Sequence, residues 1–198
     1  MCINLYTSTI AYLIGTISGL FLIKNKNKEK KMIGYFILFY TLVQLFEALI
    51  YKDNKTIYSR ILLINLGLQG IVFALLLNNY ISINNIYIYI FSIIAIFIIY
   101  ESIQSNFIKA TTENGMIWNF SDKKVSIILL IMYILMFFVM YYYKNKLNYM
   151  NKFTVVLLLT FIISYSINIL YPKSLCSINK ASIWCLSSAI VAPIMLII

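Results

Sequence analysis

One carboxylate, Glu47, stands inside a continuous apolar run, LVQLFEALIY (42–51), three residues after the amide of Gln44. A charged group at membrane depth costs about 3 kcal/mol or more, so such residues usually face a bundle interior or a water-filled cavity. The next apolar run carries two further amides, Asn65 and Gln69. On helices, the i,i+3 spacing puts Gln44 on one face with Glu47, and the i,i+4 spacing puts Asn65 on one face with Gln69. If these runs are antiparallel neighbours joined by a short connection, Glu47 comes level with Asn65, and Gln44 with Gln69. Such facing rungs can hold a proton or a small polar or cationic ligand. They can equally act as a clasp, since interhelical hydrogen bonds are worth about 0.6 to 2 kcal/mol each. The residues leave both readings open. Arg60, at the mouth of the third run, has a side chain long enough to reach down and hold Glu47 ionised.

Other chemistry is narrowed by what the chain lacks. It has no histidine, which removes Ser-His and Cys-His nucleophiles and the usual zinc sites. Cys2, Cys176 and Cys185 match no metal or redox spacing; Cys2 and Cys176 fall on one predicted side, which leaves a disulfide between them open. No cofactor motif appears, and an enzyme is not expected. Secondary polar groups lie at similar depth in later runs: Asn168, with Ser164 and Ser166, then Ser187 and Ser188 beside Trp184. Small hydroxylated residues also let helices approach closely, so packing is the plain alternative for them.

These residues have to be positioned by membrane helices. Of the 198 residues, 62% are hydrophobic and 11% charged, against roughly a quarter charged in soluble domains. Seven apolar segments are readable, at 5–23, 32–51, 61–80, 86–104, 125–143, 153–171 and 182–198. Each is close to the ~20 residues that cross a hydrocarbon core of ~30 Å. Helices are required, because backbone groups in lipid must be satisfied within the segment and these runs are too long for barrel strands. The expectation is one all-α domain, an integral bundle of seven transmembrane helices.

The net charge of +10 suggests nucleic acid until the 16 basic residues are located. They occupy the ends of the apolar runs and the segments between them, where cations anchor helix ends and meet anionic headgroups, so no nucleic-acid partner is expected. The cluster KNKNKEKK (24–31) follows the first run and acts as a solvated topology determinant, with anionic-lipid binding as its alternative role. It places the N-terminus outside and the C-terminus inside. The sequons Asn54-Lys55-Thr56 and Asn119-Phe120-Ser121 then fall outside, and no cleavable signal peptide is expected.

Further expectations concern the arrangement. The fifth run is nearly apolar all round and suits a lipid-facing helix. NNYISINN (78–85) suits a tight turn, and only the 105–124 connection is long enough for structure of its own. Polar groups concentrate in the outer half, which suggests a vestibule open to the outside and closed within.

Among seven-helix families, rhodopsins need a lysine in the last helix, whereas Lys180 precedes it here; ceramidase-type hydrolases and rhomboid-type proteases need histidines. Small sugar and amino-acid carriers match in length, but their Pro-Gln pairs are missing. The pattern Gln-x-x-Glu-x-x-x-aromatic, here Gln44, Glu47 and Tyr51, resembles a segment of uncharacterised multi-pass proteins of large DNA viruses and protists. That resemblance implies a multi-pass membrane protein and no particular activity. The functional expectation is a transporter-like protein, or one that binds a small ligand or proton at Glu47, Gln44, Asn65 and Gln69. Its alternative is a structural or interaction protein of a cellular or viral membrane. The expected partner is the lipid bilayer; a second copy or another membrane protein is open.

Overall fold

The computed structural model describes residues 5–104, 108–111, 115–118, 123–170 and 191–197. Six long helices run in chain order: α1 (Leu5–Ile23), α2 (Lys28–Asp53), α3 (Thr56–Ile81), α4 (Asn85–Gln104), α5 (Lys123–Tyr142) and α6 (Asn148–Leu170). A final helical stretch covers 191–197. The first four helices are long and apolar enough to cross a membrane, and α5 carries a shorter apolar stretch, Ile127–Tyr142. Of the segment expected at 182–198, Ser187, Ser188 and Trp184 lie outside the described residues, as do Cys2, Cys176 and Cys185. Of Ser164, Ser166 and Asn168 only the helical backbone is described.

Several boundaries differ from expectation for capping reasons. α2 begins at Lys28, four residues before the apolar run, because Asn27 caps it: its Oδ1 accepts from Glu29 N at 2.8 Å and Lys30 N at 3.2 Å. The helix thereby absorbs half of the basic cluster. At its other end Asn54 takes the left-handed conformation (φ 48°), its amide bonds Ile50 O at 2.8 Å, and α3 starts two residues later. Ser82 (φ 52°) ends α3 in the same way, which makes 82–84 the tight turn that the uncharged stretch suggested.

The 105–124 connection contains a departure from a purely helical chain. Strands β1 (Ile108–Thr111) and β2 (Gly115–Trp118) form an antiparallel hairpin in which Ile108 pairs with Trp118 and Thr111 with Gly115. Its first strand touches α2 and α3.

α2 and α3 are the centre of the bundle: α1 packs along α2, α4 along α3, and α5 and α6 close against the pair. Helix association in lipid relies on close approach and van der Waals packing, which favours small residues at contacts. Accordingly Gly19 and Gly34 bring the α1 and α2 backbones together; a Cβ built on Gly34 would stand 2.8 Å from Gly19 O. Gly70 leaves room for Phe91 of α4 and Met132 of α5. Edge-to-face rings then tie the core: Phe36 meets Phe73 (5.8 Å) and Phe153 (6.2 Å), and Phe73 meets Phe91 (6.4 Å). Ile10, Ile17 and Phe21 of α1, and Ile93, Ile96 and Ile103 of α4, point outward, as lipid-facing side chains would.

α5 is not wholly lipid-facing. Val125, Met132, Met136 and Val139 are buried while Ile127, Leu130, Ile134 and Phe138 are exposed; one stripe of an evenly apolar helix packs on the bundle, which hydropathy alone does not distinguish.

Candidate functional site

The four central residues of the sequence reading are all buried: Gln44, Glu47, Asn65 and Gln69 are 0 to 5% exposed. α2 supplies the first pair and α3 the second, each pair on the inward face that its spacing requires. The level at which they meet differs from expectation by about one turn. The tight turn sets Asp53 opposite Thr56, and Phe36 meets Phe73 further along. Positions equally distant from the turn therefore face each other, so Gln44 is level with Asn65, Tyr40 with Gln69 and Glu47 with Leu62. The cause is the connection: two residues rather than the nine that the apolar runs implied.

The amides are held from one end. Asn65 Nδ2 donates a long bond to Phe39 O on α2 (3.5 Å). Gln69 Oε1 accepts from the Tyr133 hydroxyl of α5 at 2.7 Å. The opposite ends, Asn65 Oδ1 and Gln69 Nε2, are buried without a hydrogen-bond partner among the described residues, as is Nε of the half-buried Arg60. Tyr133 is a member of the site that the sequence reading missed, because a tyrosine within IMYILMFF counts as apolar in a hydropathy pass.

Beside this cluster are two small cavities, one between α2, α6 and the 191–197 stretch and one between α2, α3, α5 and α6. One is lined by Phe36, Ile37, Tyr40 and Phe153 with Leu157 and Val191; the other shares Phe36, Tyr40, Phe153 and Leu157 and is closed by Phe73, Tyr133 and Met136. Each has about 10 Å³ accessible to a water-sized sphere, close to the smallest space that holds one water. These linings are chiefly apolar, unlike the polar vestibule expected.

A second buried carboxylate lies at the other end of α2. Glu29, inside the lysine run, is 4% exposed. Its Oε1 accepts from Met150 N at 2.6 Å, and the carboxylate also faces the amides of Asn148 and Tyr149. The first amides of a helix have no partner within it and carry the positive end of its dipole, so a carboxylate there is favoured. Glu29 is thus a cap for α6 supplied by α2. Around it Lys30 Nζ stands 4.6 Å from the Tyr149 ring centre and Lys152 Nζ 5.4 Å from it. The Tyr143 hydroxyl accepts from Asn84 N at 3.2 Å, which joins the turn after α3 to the end of α5. The sequence reading took this cluster as a solvated topology determinant, with anionic-lipid binding as its alternative, and did not find the cap; the available signal was a single acid among cations.

Four apolar helices of spanning length around a buried polar core fit an integral membrane protein. Compared with protein-family models, with curated proteins and with solved structures, the chain matches none. Among the described residues no group of three histidine, cysteine or acidic side chains is placed to hold a metal.

Proposed function

We propose that this chain is a seven-span membrane protein, N-terminus outside and C-terminus inside, that binds a proton or a water-sized polar ligand at Gln44, Glu47, Asn65 and Gln69 in a transporter-like manner. The observation carrying this reading is that Asn65 and Gln69 are each gripped at one end of the amide and unpartnered at the other. A clasp gains most by satisfying both ends, because a buried polar atom left unpaired costs about 1 to 3 kcal/mol. One acceptor and one donor turned into the interior suit a hydroxylic group or a water, and the neighbouring cavities admit little more. Glu47, nearer the mouth, supplies the titrating group.

The structural reading keeps one specific support. The Tyr133–Gln69 and Asn65–Phe39 bonds tie α5, α3 and α2 together, as a lock would. Proteoliposomes containing a pH-sensitive dye separate the two. The wild type should pass protons down an imposed gradient, and Glu47→Gln should fold with a similar melting temperature yet lose most of that flux. Absence of flux in the wild type, or unchanged flux in the variant, rejects the proton site and leaves the lock.

The orientation rests on the lysines that follow α1. In a background with the three cysteines changed to serine, a membrane-impermeant maleimide should label Asn54→Cys in intact cells and reach Asn145→Cys only after permeabilisation. The reverse pattern inverts the topology.

A further inference from the structure

Among the described residues basic side chains lie at both ends of the bundle, but the acids differ between the ends. Asp53 and Glu101 belong to the end where α2 and α4 finish. The opposite end has the five lysines of 24–31 and Lys144, Lys146 and Lys152, with one carboxylate, Glu29. That carboxylate is buried against the α6 amides. It draws two basic segments, more than a hundred residues apart in sequence, onto one face. The outcome is specific at Tyr149, where the ammonium groups of Lys30 from α2 and Lys152 from α6 approach the same ring. Two cations converge there while the adjacent acid is already engaged. Among the described residues neither lysine is paired with a carboxylate.

We propose that Lys30, Lys152 and Tyr149 form a headgroup site for an anionic phospholipid, the two ammonium groups taking the phosphate and the exposed lysines on either side supplying the surrounding field. A lipid is favoured over a soluble anion by what flanks the site. Tyr35, Tyr141 and Tyr142 are exposed at the same end, at the depth where aromatic rings meet headgroups, and the helices below present apolar side chains to the acyl chains. Each ammonium group in direct contact with the phosphate is worth about a fivefold change in affinity, and one farther off is screened to less. Glu29 is a positioning residue here, since it holds α2 and α6 in the register that pairs the lysines.

The test titrates the purified full chain, in detergent micelles with excess phosphatidylcholine, with a fluorescent phosphatidylglycerol. The wild type should prefer phosphatidylglycerol to labelled phosphatidylcholine. K30Q/K152Q should weaken binding by on the order of 30-fold, whereas K144Q/K146Q, which removes the same charge from the same end, should weaken it only a few-fold. The single change K152Q, at an exposed side chain, should give about fivefold and keeps the test decisive if the double variant misfolds. K30R/K152R should bind like the wild type. Equal losses in the two double variants, no preference for the anionic lipid, or full displacement of the lipid by millimolar inorganic phosphate would each overturn the proposal.

Discussion

Glu29 and Glu47 lie on the same helix and are both buried, yet their sequence surroundings are opposite. Glu47 is flanked by apolar residues, which marks it at once as costly. Glu29 is flanked by lysines, which makes it look like one charge in a solvated run. In the folded chain Glu29 is held by the start of α6, which offers it backbone donors in a fixed cluster. Whether an acid is buried is decided by the donors that another element brings to it, and local composition says little about that.

The sharpest way to break this comparison is to remove each acid. Glu29→Ala should destabilise the bundle by about 2 to 3 kcal/mol, combining a lost helix cap with amides left unpaired. Glu47→Leu should cost less, about 1 to 2 kcal/mol, as expected for interhelical bonds in lipid. Unfolding by dodecyl sulfate titration gives both values, and amide exchange adds a local reading: the Glu29 variant should lose protection at Tyr149 and Met150 while the Glu47 variant should not. A larger loss at Glu47 would reverse the ranking and make the Glu47 cluster the main structural anchor.

The helices were largely legible in the sequence because a span of apolar residues dictates its own backbone hydrogen bonding. α1 appears at 5–23 as read, and α4 within a residue. The ends of α2 and α3 were not legible from hydropathy, since Asn27 and Asn54 act through capping and extend helices across charged residues. That extension shifted the facing rungs. The four polar positions were found correctly as a buried set on α2 and α3, but not their levels, nor Tyr133, nor the hairpin between α4 and α5. Contacts of that kind depend on which face of an evenly apolar helix turns inward, and α5 carries no polar contrast to reveal it.

The smallest expected effect sharpens the Glu47 side of the comparison. Tyr133→Phe deletes one hydroxyl and keeps the ring that lines the cavity with Phe36 and Phe73. Removing a single bond to Gln69 should cost about 0.6 to 1 kcal/mol. Gln69→Met preserves volume while removing both the accepting oxygen and the unpartnered Nε2. In a double-mutant cycle the two changes should couple by about the value of that bond, because in the Met background Tyr133 has lost the acceptor it uses in the wild type. The sign of Gln69→Met alone then discriminates between the readings. If Gln69 is a lock, the variant loses stability along with the bond. If it is a binding group held partly unsatisfied, removal of the buried orphan offsets that loss. The variant should then match the wild type in stability while its proton flux falls. A destabilised variant with unchanged flux would place Gln69 with the structural reading, and leave Glu47 and Asn65 as the residues on which the binding site has to stand.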